Sequence, residues 1–487
     1  MQFLPVSDKV IQVHCILEND FIPFAKRCTC CSCGSAVKNE TFPERNQKAL
    51  KKEQIKNRFR WSTLDNAAKV FPALAGKRDS RVFRFACQLK EKIDAQMLQI
   101  ALDQTLEEFP TFTNIIRHGM FWYYLEESEL RPVVHEEDTV VCRNLYDKND
   151  HRLLIDVSYY QNRINLEVFH AIADGTGALM FLRTLVVRYL LLVHPRELAG
   201  YDLSLGIDST FKEKKSDSFS QYYEKQEAAG GHKMSFLGEK TASVYCFQET
   251  ETPDCRQHVT EGNISAKAIL AEAKKHGTTV TVFLTAVLIQ AIYDSMEPRD
   301  RKKAVSVMIP VNLRSYFESN TVRNFFGLIP VVYDRKKDGE AMEDIIASVG
   351  TTFRKTLTKE RLEQMLNDQV SLEKHVYTRM APLFIKDIAM HISSYIASRR
   401  QTIYFSNLGR ITLPQAAAGY VELFDVFISS AGKQVCMCSY GDRMVITFAG
   451  VILPKDVECA FFRRLSQYDP EMIVSANYSG GGANRGW

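Results

Sequence analysis

Residues 163–185 read RINLEVFHAIADGTGALMFLRTL, and the fold turns on how this stretch is read. With LLIDVSYY just upstream it forms a hairpin pattern, two β-rich runs around the polar turn Gln161-Asn162-Arg163. The second run ends on His170. The short turn AIADG follows, and TGALMFLRTLVVRYLLL then has helical periodicity. Two readings fit such a strand-to-helix turn. In one, His170 is a structural histidine at a strand end. In the other it is the base of an active site, because imidazole moves protons near neutral pH when it is held in one orientation. Ala171, Ala173 and Gly175 keep the turn small and leave room for a ligand. Gly175 can also adopt backbone angles closed to other residues. Asp174 has two roles open to it. Its carboxylate can cap the following helix, or it can pair with an arginine and lock the turn.

Around this stretch the chain alternates strands and helices over 487 residues, too many for one simple core. RVFRFACQL alternates like a strand, and DAQMLQIALDQTLEEFP reads as a helix capped by Asp94 and stopped before Pro110. The second half repeats the style. ISAKAILAEAKKHG is a helix with Ser265 as cap and Gly277 as stop, and TTVTVFLTAVLIQAIYDSM is a second, buried helix. KAVSVMIPVNLR, NFFGLIPVVYD, TIYFSNLGRI, VELFDVFIS, QVCMCSYG and RMVITFAG read as strands, EDIIASVGTTFRKTLTKERLEQML as one long helix, and LPKDVECAFFRRL as the closing helix. Antiparallel hairpins mixed with helices predict α+β layers in each half. The expected organisation is a disordered, cysteine-containing leader over 1–60, an N-terminal lobe over 61–205, a crossover over 206–240, a C-terminal lobe over 241–470 and a flexible tail over 471–487.

Composition excludes more than it selects. Lysine and arginine number 62 against 58 aspartates and glutamates, a balance that leaves no electrostatic footprint for nucleic acid. The most apolar run, LMFLRTLVVRYLLLVHP, contains Arg183 and Arg188 and reads as a buried helix, so no transmembrane segment is expected. A cytoplasmic location is the default. Cys28, Cys30, Cys31 and Cys33 crowd together, but a zinc ribbon needs two separated Cys-x-x-Cys pairs. His118, His151, His232, His258, His276, His375 and His391 lack paired ligand spacing, so no metal site is expected. Residues 48–60, KALKKEQIKNRFR, form a basic run that reads as a solvated helix. Trp61 and Trp122 read as packing residues.

Three segments occur in order at wide spacing: FHAIADGTGA, IPVNLRSYFESNTVRNFFGLIPV and YFSNLGRI. Together they resemble the chloramphenicol-acetyltransferase-like superfamily, which includes alcohol acetyltransferases, plant-type acyltransferases, wax ester synthases and peptide-synthetase condensation domains. WSTLDNAAKVFPAL resembles the opening of bacterial alcohol acetyltransferase-like members, and the resemblance runs from about Trp61 to Leu465. It implies two similar mixed-sheet lobes with a tunnel between them and the histidine at its centre. An acyl thioester would enter from one face and the acceptor from the other.

Carried over by position, His170 matches the catalytic base. Asp174 matches the aspartate that points away from substrate and holds the turn, and Gly175 matches the turn glycine. Arg314, in PVNLR, is the implied partner of Asp174. Ser406 and Asn407, in FSNLG, match the strand that crosses towards the other lobe and lines the tunnel. Asn312 and Asn324 join them as tunnel or oxyanion candidates. No bound cofactor is implied. Acyl-CoA, such as acetyl-CoA, would be the co-substrate and a small-molecule alcohol the acceptor. His170 would deprotonate the acceptor, which attacks the thioester directly, so no cysteine need be a nucleophile. Phe169 stands where many relatives carry a second histidine, and VELFDVF departs from the Asp-Phe-Gly-Trp-Gly element of plant-type members. Two alternatives stay open: a free-standing condensation-type enzyme using an acyl carrier protein thioester or an amine acceptor, and an inactive binding module that keeps the tunnel.

Overall fold

The hairpin that ends on His170 lies inside a five-stranded sheet. The computed structural model describes residues 61–138, 140–201, 205, 218–222, 243–247, 250–374, 380–453 and 455–477. The leader over 1–60 with its four clustered cysteines, most of the expected crossover and residues 478–487 lie outside the described residues.

The first lobe runs β1 (Trp61–Thr63), α1 (Val70–Leu74), β2 (Val82–Leu89), α2 (Ala95–Glu108), β3 (Asn114–His118), β4 (Tyr123–Glu127), β5 (His135–Glu136), β6 (Ile155–Tyr160), β7 (Arg163–Phe169) and α3 (Gly175–Val193). Asp94 caps α2, accepting from the backbone N–H groups of Gln96 and Met97 at 2.9 and 3.1 Å. β6 and β7 pair antiparallel from Ile155↔Val168 to Tyr160↔Arg163. By length and composition α3 could cross a membrane. Here Phe181, Leu182, Leu185, Val186 and Leu190 are buried in the first core, with α3 packed on α2. Arg188 reaches the edge of that core and donates to Glu108 at 2.7 Å.

The second lobe runs β8 (His258–Ser265), α4 (Ala266–Lys275), α5 (Val280–Ser295), β9 (Val305–Asn312), β10 (Phe326–Tyr333), α6 (Met342–Thr356), α7 (Lys359–Lys374), α8 (Leu383–Ser398), β11 (Ile403–Ile411), β12 (Val421–Ile428), β13 (Lys433–Tyr440), β14 (Arg443–Gly450), α9 (Asp456–Leu465) and β15 (Ile473–Ala476). Its seven-stranded sheet has the order β10-β9-β11-β13-β14-β8-β15, with β11 parallel to both neighbours and the other pairs antiparallel. α5 is apolar on every side and is buried against this sheet, α6 and α9. The fold is therefore α+β, with mixed sheets in two lobes.

Several details depart from the sequence reading. The strand that crosses between lobes is β12, not β11. β12 completes the first sheet, in the order β12-β2-β7-β6-β5, pairing antiparallel with β2 from Val421↔Leu89 to Ile428↔Phe83. Seven of its eight residues are buried, because one face meets the first core and the other β13 and β14. The single long helix expected after β10 is two, since the Thr358 hydroxyl accepts from Arg361 N at 3.3 Å and starts a new one. The sheet continues into the expected tail, where β15 pairs with β8. Trp61 packs edge-on to Tyr124 but is 65% exposed. The periodicities above also gave no element for α8.

Candidate active site

β7 delivers His170 into the interior, where the residue is only 8% exposed. Its backbone N–H donates to Arg81 O at 2.9 Å, which ties the strand end to the start of β2. Arg81 holds a left-handed φ of 56°, an uncommon conformation for a residue with a side chain. Three phenylalanine rings surround the imidazole. Phe71 of α1 stacks on it at 4.0 Å between centroids, and Phe83 and Phe326 lie at 4.4 and 5.6 Å. Burial among these rings pushes the His170 pKa down to about 4, against the opposing pull of its own carbonyl, Asp174 and Asn324. The imidazole is therefore neutral at physiological pH.

The orientation of the ring follows from its partners. His170 Nδ1 lies 3.0 Å from Asn324 Oδ1. Asn324 Nδ2 donates to Asp65 Oδ2 at 3.2 Å, and Asn324 N approaches the same oxygen at 3.3 Å. An ionised carboxylate only accepts, so the amide must present its NH2 to Asp65 and its oxygen to the histidine. Nδ1 must then carry the proton, and the lone pair of the neutral ring sits on Nε2. Asp65 is itself fixed, accepting from Ala68 N at 2.7 Å, with Arg323 Nε at 3.6 Å.

Asp174 performs both roles left open by the sequence. Oδ1 caps α3 by accepting from Gly177 N at 2.9 Å. Oδ2 accepts from Arg314 Nη1 at 2.7 Å and from Phe325 N at 2.9 Å. Arg314 also donates to Asn312 Oδ1, Thr321 O and Arg323 O, at 3.2, 3.1 and 2.6 Å. The segment 321–325 is thus clamped against the first turn of α3. A Cβ on Gly177 would fall 1.9 Å from Val322 O, so that position admits only glycine. Gly175, the glycine singled out from the sequence, does not have this role. A Cβ there would meet the Leu408 side chain at 3.5 Å, an ordinary contact.

The remaining expected residues divide. Asn312 is occupied with Arg314, whose backbone N–H it also accepts at 3.1 Å. Asn407 donates to Thr281 Oγ1 at 2.8 Å and accepts from Gly409 N at 2.7 Å, holding the bulge of β11 against the start of α5. Among the described residues, His170 bonds Asn324 and neither of these amides. Ser406 pairs with Cys436 and, by strand alternation, points to the face opposite Asn407, the face Cys436 shares with the first core. The structure therefore joins His170 to Asn324, and Arg314 to both Asp174 and Asn312. It brings FSNLG to the turn through Leu408. Asp65, Phe71, Gly177 and Arg323 were not singled out from the sequence. A buried aspartate in WSTLD and an Arg-Asn pair before FFG were their only signal.

No family model matches the chain, and no curated protein matches it. Solved structures do. Polyketide synthase associated protein 5 from Mycobacterium tuberculosis has a TM-score of 0.55 at 15% identity, over 84% of this chain and 97% of that one. Trichothecene 15-O-acetyltransferase from Fusarium sporotrichioides has a TM-score of 0.58 at 12% identity, over 85% and 95%. The starter condensation domain of rhizomide synthetase, in complex with C8-CoA and Leu-SNAC, has a TM-score of 0.54 at 11% identity, over 86% and 96%. These structures do not single out bacterial alcohol acetyltransferases. At such identities the likeness speaks for architecture, and on that ground the chain has the chloramphenicol-acetyltransferase-like fold that these structures share.

Proposed function

We propose that the protein is a cytoplasmic acyltransferase that moves an acetyl or longer acyl group from acyl-CoA to an alcohol hydroxyl. The observation that carries this reading is the chain Asp65–Asn324–His170, which leaves Nε2 of a buried, neutral histidine as the free base. Nε2 takes the proton from the acceptor O–H as its oxygen attacks the thioester carbonyl. The tetrahedral intermediate collapses, the C–S bond breaks, and the imidazolium returns the proton to the leaving thiolate. Asn312, Asn324 and Asn407 are engaged elsewhere, so Ser406 or a backbone N–H is the candidate donor to the oxyanion. The rings of Phe71, Phe83 and Phe326 favour an acceptor with an apolar body. Asp174, Gly175 and Arg314 shape the turn and do not touch the reacting atoms.

A second reading has a specific support. The rhizomide synthetase domain is in complex with both C8-CoA and Leu-SNAC. A carrier-protein donor or an amine acceptor is the corresponding alternative here. The test is a screen of acyl-CoA and acyl-carrier donors against alcohols and amines, with thiol release and product mass as readouts. Ester formation from acyl-CoA that disappears in a folded His170→Ala protein is expected. Full transfer by that variant would overturn the reading.

A further inference from the structure

The helix α8 presents a large apolar face to solvent. None of its residues is buried, and Phe384, Ile388, Ile392 and Tyr395 are 65%, 58%, 56% and 60% exposed. They recur at spacings of four, four and three, one stripe of a helix, with Ile385 and Ile396 exposed beside it. Met380 and the Met120-Phe121 turn extend the surface past the N-terminal end of the helix, where Leu383 N bonds Met120 O at 2.8 Å. A contiguous apolar surface of this kind marks an interaction site.

Its charge selects the partner. Asp387 is the only acidic residue in α8, and it is turned inward to Tyr123 Oη and Lys148 Nζ at 2.8 and 3.1 Å. The other charges are cationic and sit with aromatic rings. Lys386 Nζ lies 3.2 Å from the Trp122 ring centroid, which Lys69 approaches at 4.9 Å, and Arg399 lies 4.9 Å over the Tyr395 ring. Arg400 follows at the helix end. An apolar stripe that ends on a Tyr-Arg pair, with Lys386 and Lys69 gathered at Trp122 on the side of the helix away from it, matches the boundary between anionic headgroups and acyl chains. A second copy of the same surface would set these cations against each other.

We propose that α8 is a docking surface for an anionic lipid bilayer, lying in the interface with Phe384, Ile388, Ile392 and Tyr395 inserted. α8 packs on α1, and Phe71 of α1 stacks on His170. The bilayer surface would therefore lie one helix away from the candidate base, which suits delivery of an apolar acceptor or acyl chain. The docking itself is independent of the acyl-transfer reading, because it is measured without substrate.

The test is co-sedimentation of the full chain with phosphatidylcholine vesicles, with and without phosphatidylglycerol. Wild type is expected to bind the mixed vesicles at least tenfold more tightly than pure phosphatidylcholine, with affinity falling as salt rises. Ile388→Glu/Ile392→Glu is expected to lose at least tenfold of that binding with an unchanged Tm, since both side chains are exposed. Wild type that does not bind, or variants that bind as tightly, would overturn the proposal. So would a wild-type dimer that these substitutions convert to monomer, because the surface would then belong to a second copy.

Discussion

Asn324 Oδ1 stands 3.0 Å from His170 Nδ1, and the two residues come from different lobes. The amide can play only one part here, because Asp65 occupies its NH2. The base is thus oriented across the lobe boundary by a neutral group, itself oriented by a buried carboxylate. This arrangement fixes the tautomer without placing a negative charge against the imidazole.

Asp65→Asn should therefore lower kcat while leaving KM nearly unchanged. The asparagine can donate as well as accept, so Asn324 is free to turn its NH2 towards Nδ1 and favour the unproductive tautomer. General-base catalysis contributes roughly 10²–10⁴-fold, and a loss of about 10²-fold is expected. Asn324→Leu removes the acceptor altogether. Because that bond favours the charged ring, the acid limb of its pH–rate profile should move to lower pH. Steady-state kinetics on folded protein check both, and an unshifted limb would reduce Asn324 to a packing residue.

The buried histidine also makes a statement about pH. With its pKa pushed down to about 4, His170 is the active neutral base throughout the physiological range. The acid limb of kcat/KM is expected near pH 4, not near 6.5. The same group destabilises the fold in acid. Below about pH 6.5 the unfolded histidine takes up a proton that the folded one refuses, so stability falls with pH down to about 4. The full difference is on the order of 3 kcal/mol. His170→Gln should lose less stability than wild type between pH 7 and pH 4.5 in urea unfolding. His258 is present in both proteins and cancels in the comparison.

Much of this site is written locally in the sequence, and the rest is not. The hairpin, the turn and the helix after Asp174 follow from periodicity and capping, because short-range rules set them. The pairing of Asp174 with Arg314 was accessible only through resemblance, since nothing local ties residues 140 positions apart. Sequence alone leaves Asn324 a tunnel or oxyanion candidate, because a side-chain amide has two ends. Only its second partner, Asp65, says which end faces the histidine. The crossing of β12 was assigned to β11 because both are apolar strands, and strand patterning does not name the sheet a strand joins. The apolar stripe of α8 has the spacing of a buried helix, and spacing does not say that it faces out.

The two glycines of the turn separate in the same way. Gly175→Ala should fold within about 1 kcal/mol of wild type, because the added methyl meets only Leu408 at ordinary distance. Gly177→Ala would drive its methyl into the carbonyl of Val322, and that backbone is clamped by Arg314. A loss of about 2–3 kcal/mol is expected, as for overpacking at a site that cannot move. Denaturant unfolding of the two variants side by side decides it, and equal stabilities would contradict the close approach.

Arg314 is the most demanding position to replace. Its guanidinium satisfies a carboxylate, an amide oxygen and two backbone carbonyls at once, from three directions. A lysine keeps the charge but offers a single point of donation, so it can hold Asp174 only by abandoning Thr321 O and Arg323 O. Arg314→Lys should therefore cost about 2–4 kcal/mol, close to the loss of a buried pair's partner. Segment 321–325 carries Asn324, so the substitution should also loosen the base. Activity measured well below the unfolding midpoint should fall more than the folded fraction does. If the two fall together, the clamp acts on stability alone and does not position His170.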